Sequence, residues 1–280
     1  MLKFLTKAII FLGVVVGAIT FVYLYDLYQE IKDDIDSVVN YNPKQSTQFF
    51  DKNGKLLANT FKDENREYVN YDDIPARVIE GLVAIEDTQF FEHFGVNPDA
   101  ISRAVIKNIQ SGGYSEGAST LTQQLIKVLL LSREKKIIRK VKEALLAIRL
   151  ETVLTKEEIL ERYLNHVYFG HGYYGVKTAA KGYFKKNLYE LTLKEIAILV
   201  GLPRAPSFYD PTKNLQVSLA RANQVITRMH TLGWINNEQF EESINETPTI
   251  YNQTLTQNIA PYAIDYAVSE LLNDIPDILY

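Results

Sequence analysis

Four clusters of residues carry side-chain types and spacings that can do chemistry. The first runs from Glu86-Asp87 through Phe90 and His93 to Gly95. Glu86 closes the apolar stretch Leu82-Val83-Ala84-Ile85. A carboxylate there is partly desolvated, which suits it to take up a proton, with Asp87 and His93 placed to orient it or to bind substrate. The second cluster is Gly117-Ala-Ser119-Thr120-Leu-Thr-Gln123-Gln124-Leu-Ile-Lys127. Thr120, Gln124 and Lys127 stand at i, i+4, i+7, one face of a helix, where a hydroxyl, an amide and an ammonium suit sugar hydroxyls and phosphate. The third, Lys127 to Arg149, holds eight basic and two acidic residues, with Arg139 and Glu143 at i, i+4 and Lys140 beside them. It is a candidate anion site. The fourth is Gly201-Leu-Pro203-Arg204-Ala-Pro206-Ser207-Phe-Tyr209-Asp-Pro211, a rigid turn that can deliver a fixed guanidinium.

Each cluster also has a purely structural reading. The first fits a helix end, with Gly95 as its stop and His93 in its last turn, and from these residues alone that is the better reading. Thr120-x-x-Gln123 is a capping box, which is compatible with a site mouth. The basic run fits a solvated helix face with intrahelical pairs. The fourth cluster fits an ordinary helix-terminating loop. A nucleic-acid helix is disfavoured, because no aromatics interleave the charges. Ser132-x-x-Lys135 matches an acyl-enzyme motif by chance, since no S-D-N or K-T-G follows. His166 and His171 lack the register of a zinc site.

The elements that must position these clusters are mostly helices. Ala8 to Tyr25 is an uncharged apolar run that spans roughly 27 Å as a helix, close to a hydrocarbon core of about 30 Å. Lys3 and Lys7 precede it and Asp26, Glu30, Asp33, Asp34 and Asp36 follow, so the N-terminus is expected in the cytoplasm and the remainder outside. A cleaved signal peptide is disfavoured by the run's length and the lack of a clear cleavage site. Residues 1–25 therefore read as a single-pass anchor and residues 26–45, ending at Pro43, as a juxtamembrane stalk. Asn53-Gly54 between two apolar runs predicts a hairpin within 47–70. Ile74-Pro75 opens a helix with Pro at its first position. Further helices are expected at 97–110, 120–131, 134–154, 156–165, 172–181, 192–202 and 215–231, and another from Asn237. Gln110–Gly117 reads as a flexible loop.

Composition narrows the rest. The chain has 280 residues, no Cys, 18 Tyr and 13 Phe, so it is a packed protein without disulfides, Cys-ligated zinc or a thiol nucleophile. Its net charge is −4, and removal of Lys3 and Lys7 with the anchor makes the remainder −6, so it is no general polyanion binder.

Taken in order, the clusters resemble the glycosyltransferase family 51 domain of class A penicillin-binding proteins and monofunctional peptidoglycan glycosyltransferases. E-D-x-x-F-x-x-H-x-G stands at Glu86 to Gly95, G-A-S-T-x-T-Q-Q at Gly117 to Gln124 and R-K-x-x-E at Arg139 to Glu143. Lys156 to Val176 looks like the fourth motif, and Gly201 to Pro211 is similar to the fifth. Five motifs in register, within residues 46–270, outweigh the helix-end reading of the first.

The resemblance implies a mainly α, lysozyme-like, two-lobed domain over residues 46–250, with a small N-terminal β-hairpin and a membrane-facing jaw between the first and third motifs. It implies an inverting transfer that polymerises lipid II into β-1,4-linked glycan with release of undecaprenyl pyrophosphate. Glu86 would be the general base and Glu143 the second essential carboxylate, orienting cations or helping to bind a divalent ion. Lys127, Arg139 and Lys140 would hold the pyrophosphate. Asp87, Phe90, His93, Ser119, Thr120, Gln124 and Arg204 would complete the substrate site. The sequence requires no cofactor and leaves room for Mg or Mn. Expected partners are lipid II, the growing glycan and membrane lipid, with division or elongation proteins as candidates and nucleic acid excluded. Ala260 to Leu272 looks like a connector toward a transpeptidase domain, so residues 251–280 read as the start of a missing half, with a monofunctional enzyme the second expectation. A lysozyme-like hydrolase and an inactive membrane scaffold are the alternatives.

Overall fold

A computed structural model describes residues 2–40, 47–60, 65–113, 117–130, 136–252 and 261–274. The fold is mainly helical. It begins with α1 (Leu2–Ile31) and α2 (Asp34–Val39), followed by strands β1 (Thr47–Phe50), β2 (Leu56–Thr60) and β3 (Asn65–Arg66). Helices α3 (Ala76–Glu86), α4 (Pro98–Ser111), α5 (Leu121–Leu130), α6 (Lys136–Leu150) and α7 (Lys156–His166) come next. After β4 (Tyr173–Tyr174) come α8 (Val176–Phe184), α9 (Leu193–Gly201), α10 (Pro206–Tyr209) and α11 (Leu215–Thr231). Helices α12 (Asn237–Asn245) and α13 (Pro261–Asp274) close the chain. Two compact units result: Met1–Tyr41 with His93–Thr155, and Asn42–Glu92 with Lys156–Tyr280.

In the first unit, α1 is long and apolar enough to cross a membrane, and its most apolar 18-residue stretch has a mean hydropathy of 2.4 with no residue buried. It runs past Tyr25 without a break. Leu27 and Ile31 are buried, as are Ile35 and Val38 of α2. These turns pack on α6, and α2 also packs on α5. Asn97 caps α4 by accepting from the Ala100 amide at 2.9 Å, Pro98 follows it, and Gly112 ends the helix in the left-handed region. Ile101, Val105, Ile106 and Ile109 of this helix are exposed. The expected loop lies partly outside the described residues, at 114–116. So do Pro43, Ser132 to Lys135, and 253–260 and 275–280 of the proposed connector.

In the second unit, β1 and β2 pair antiparallel across Asn53-Gly54, and Gly54 takes φ +80°. Asp51 accepts from the Asn53 and Lys55 amides at 2.8 Å each, which holds its carboxyl below the usual range. Pro75 precedes α3 as its cap, because its carbonyl accepts the first helical bond from Val78. The expected helix 172–181 starts later, at Val176, because Tyr173 and Tyr174 pair with Asn65 and Arg66. The centre is α9, which packs on both α3 and α11. Gly81 admits this approach: a Cβ there would stand 3.2 Å from Val200 Cγ2. Lys194 is buried and donates to the Ser243 and Ile244 carbonyls at 3.0 Å, closing the end of α12.

Candidate active site

Glu86 is the last residue of α3, and Asp87 leaves the helix in a non-helical conformation. The helix therefore stops at Glu86 rather than at Gly95. Gly95 instead adopts φ +78° against α6, where a Cβ would lie 2.5 Å from the Ala147 carbonyl carbon and oxygen. The Glu86 side chain is 11% exposed and its Oε1 accepts from Arg221 Nη2 at 3.3 Å. Arg221 comes from α11. Its guanidinium also donates from Nη1 to Gln224 Oε1 at 3.1 Å and lies 5.6 Å from the centre of the Tyr209 ring. Gly201 makes this route available, since a Cβ there would meet Arg221 Cγ at 2.9 Å. Burial lowers the Arg221 pKa, Glu86 opposes that, and the nearby Arg204 charge lowers it further. Arg204 itself is exposed. Burial pushes the Tyr163 hydroxyl well above its ordinary value, and the Glu86 charge adds to the effect. The end of α3 is thus a partly desolvated carboxylate held by a fixed guanidinium, an arrangement suited to an ionised proton acceptor. Asp87 is buried, and Phe90 is fully buried beneath the Lys156 ammonium, 4.4 Å from its ring centre.

The first unit assembles a separate ionic cluster. Glu143 is wholly buried on α6; Lys140 Nζ stands 2.5 Å from its Oε2 and Arg139 Nε 3.2 Å from its Oε1. Neither contact has hydrogen-bond alignment. Lys140 also donates to Ser119 Oγ at 2.7 Å. The two cations keep solvent access, Lys140 at 48% and Arg139 at 23%. A buried carboxylate therefore orients two reachable positive charges. Lys127 is exposed in the last turn of α5 and Gln124 is half-buried.

Thr120 does not project with that pair. It precedes α5 and is buried; its hydroxyl donates to the Gly95 carbonyl at 2.6 Å and accepts from the Gln123 amide at 3.2 Å. Gln123 Oε1 accepts from the Thr120 amide at 3.0 Å, completing the capping box. His93 is buried with its Nδ1 4.0 Å from Glu151 Oε1, the atom to which Thr122 donates at 2.5 Å.

A protein-held divalent ion does not fit here. Among the described residues no three His, Asp or Glu side chains group as ligands, and both Glu143 oxygens already face cations. Sequence reasoning missed Arg221, Glu151 and the Lys142–Glu30 pair, which is 3.2 Å long. Their partners lie far away in the chain, and no local spacing signals them.

The transglycosylase family model matches residues 53–230, a span that contains all five motif segments. Penicillin-binding protein 1A of Aquifex aeolicus (strain VF5) is 40% identical over 271 residues, covering 96% of this chain and 37% of that protein. Penicillin-binding protein 1A of Escherichia coli (strain K12) is 39% identical over 254 residues, covering 89% of this chain and 30% of that protein. The chain thus spans about a third of the length of these curated relatives. The crystal structure of penicillin-binding protein 1A from Haemophilus influenzae, 26% identical, covers 85% of this chain and 25% of its own, with a TM-score of 0.47. On the strength of the sequence matches, the chain belongs to the transglycosylase family, the glycosyltransferase family 51 domain that its motifs resemble.

Proposed function

We propose that the chain is a membrane-anchored peptidoglycan glycosyltransferase that polymerises lipid II into β-1,4-linked glycan at the outer face of the membrane. Glu86 takes the proton from the acceptor 4-hydroxyl. That oxygen forms a bond to the donor anomeric carbon with inversion, while the bond to undecaprenyl pyrophosphate breaks and the electron pair leaves with the pyrophosphate. Lys127, Arg139 and Lys140 stabilise the charge that develops there, and Glu143 holds the last two in place. Gln124, Ser119 and Arg204 take part in binding substrate, with Asp87, Phe90, His93 and Thr120 shaping the backbone around it. Arg221 fixes Glu86.

The observation that carries this reading is Glu143, fully buried between Lys140 and Arg139. Fixed cations lower the barrier most where negative charge grows, as on a departing pyrophosphate. So good a leaving group needs little general acid, unlike a glycosidase, which places two carboxylates at the bond. The exposed apolar face of α4 supports a membrane-facing jaw, and α1 supports an anchor. The N-terminus is assigned to the cytoplasm from Lys3 and Lys7. Residues 1–25 are the anchor, 46–250 the catalytic domain, and α13 part of a connector.

Incubating the chain with lipid II in detergent or bilayer discs tests the reading. Ladders of glycan polymer are expected, and they disappear with Glu86→Gln. Release of sugar from preformed peptidoglycan without use of lipid II would make the protein a hydrolase. Absence of lipid II binding would make it a scaffold.

A further inference from the structure

The apolar run of α1 and the cation cluster of α6 are mechanically connected. Helix α1 is unbroken from Leu2 to Ile31. Its surface changes character near Tyr25: Phe11, Phe21 and Tyr25 are exposed, whereas Leu27 and Ile31 are buried at 7% and 2%. The buried end packs on α6. At that contact Lys142 Nζ donates to Glu30 Oε1 at 3.2 Å, and the Lys142 side chain is only 7% exposed. Lys142 directly precedes Glu143, the carboxylate that orients Arg139 and Lys140. Two sides of α6 thus serve two tasks, docking to the anchor and presenting cations.

The anchor also supplies a ruler. Glu30 lies five residues beyond Tyr25, the end of the apolar run, or about 7.5 Å along a helix. A headgroup layer adds about 5–8 Å to each side of a hydrocarbon core of about 30 Å. Glu30, and with it the Lys142–Glu143 level of α6, therefore falls at headgroup depth. A pyrophosphate on a lipid tail is confined to that layer, because its charge excludes it from hydrocarbon.

We propose that the Lys142–Glu30 pair is a positioning contact that sets the depth of the Arg139–Lys140–Glu143 cluster against the headgroup layer. The role rests on the reading of the donor as a lipid-linked pyrophosphate. Glu30 is 66% exposed, but the Lys142 side chain is buried, so reversing the charge at 142 puts a buried carboxylate beside Glu30 and drives the two helices apart. The pair is a registration device between anchor and cradle.

The chain contains no Cys, so Ile137→Cys, at an 81% exposed site on α6, takes a single fluorescent label. The labelled full chain goes into bilayer discs of phosphatidylcholine and phosphatidylglycerol. Quenching by lipid-borne nitroxides is then compared with quenching by aqueous iodide. Lys142→Glu is expected to change the ratio of the two by about twofold or more and to raise KM for lipid II about tenfold with kcat nearly unchanged. Adding Glu30→Lys restores both. Lys142→Met keeps the buried stem and shifts both readouts in the same direction by less, which guards against simple unfolding. An unchanged quenching ratio in Lys142→Glu, or a shift that the charge swap leaves in place, overturns the proposal. If the unsubstituted chain makes no polymer, the functional reading fails, and the quenching ratio still decides the depth contact.

Discussion

Glu86 accepts a hydrogen bond from Arg221 at 3.3 Å, although 135 positions separate the two residues in the chain. The contact exists because α3 packs directly on α11, with α9 against both, and because Gly201 leaves room for the arginine stem. Arg221 is held in turn by Gln224 and the Tyr209 ring. A buried pair of this kind is weak as a source of stability, yet leaving one partner unpaired is costly. Its main effect is to fix where the carboxylate points.

Arg221→Met should therefore lower stability by about 3 kcal/mol, since it strips a nearly buried Glu86 of its cation. Arg221→Lys keeps the charge but not the planar fork that also reaches Gln224. It should retain most of the stability and lose about tenfold in kcat. Denaturant unfolding and polymerisation kinetics, run on both variants, separate the two effects. Equal kcat in Arg221→Lys and the unsubstituted chain would remove Arg221 from any positioning role.

Glu86→Gln preserves an acceptor for Arg221 but leaves that buried guanidinium without its counter-charge, so it should also lower stability, by about 1–3 kcal/mol. Loss of the proton acceptor should still reduce kcat by about 10²–10⁴-fold, with lipid II binding retained. A variant that fails to bind lipid II would instead make Glu86 a binding group.

Lys140→Met should raise KM and lower kcat together, because Lys140 contacts both Ser119 and Glu143 at the cation cluster. Glu143→Gln should be worse, by an order of magnitude or so in kcat/KM, since it releases both Lys140 and Arg139. Steady-state kinetics on the two variants and their combination test this. Strictly additive losses would mean that Glu143 does not act through Lys140.

Gly95→Ala should be among the most destabilising single changes in the chain. The backbone is at φ +78°, and the added carbon would sit 2.5 Å from main-chain atoms of Ala147 that cannot swing aside. Strain and overpacking together should cost about 3–5 kcal/mol. The same change displaces the Gly95 carbonyl that accepts from Thr120, so the start of α5 should fray as well. Hydrogen exchange at the Gln123 and Gln124 amides reports that second effect.

What could be read in the sequence was local. The Thr120–Gln123 capping box, the Asn53-Gly54 turn and the Arg139–Glu143 pair each rest on spacings of a few residues, so the pattern itself carries the geometry. Arg221 has no such signal. It stands in an amphipathic helix as any solvated arginine would, and only tertiary packing reveals that it is buried. The acidic residues after Tyr25 mark a juxtamembrane stalk with scattered apolar positions, and of these Leu27 and Ile31 repeat at i, i+4 and dock on α6. Their neighbours' charge hid a buried stripe. The separation of His93 from Glu151 was equally silent, because each residue is an ordinary helix-end or loop type by itself.

His166 gives the fold a pH dependence whose sign can be worked out. Its ring is buried near the Arg66 guanidinium. Burial first, and then the Arg66 charge, lower its pKa from 6.5 to about 4, against the opposing pull of the Arg162 carbonyl. The neutral ring satisfies both neighbours if Nδ1–H donates to that carbonyl, 3.0 Å away, and Nε2 faces Arg66 Nη1 at 3.5 Å. Between the two pKa values the unfolded chain binds a proton that the folded chain does not. Stability from this site is therefore complete above about pH 6.5 and is lost as pH falls toward about 4, at about 1.4 kcal/mol per unit and about 3 kcal/mol in total. His166→Gln removes the titration, so its stability should fall less steeply across that window than that of the unsubstituted chain. Denaturant unfolding of both proteins at about pH 7 and about pH 5 measures the difference, and parallel losses would show that another group carries the acid sensitivity.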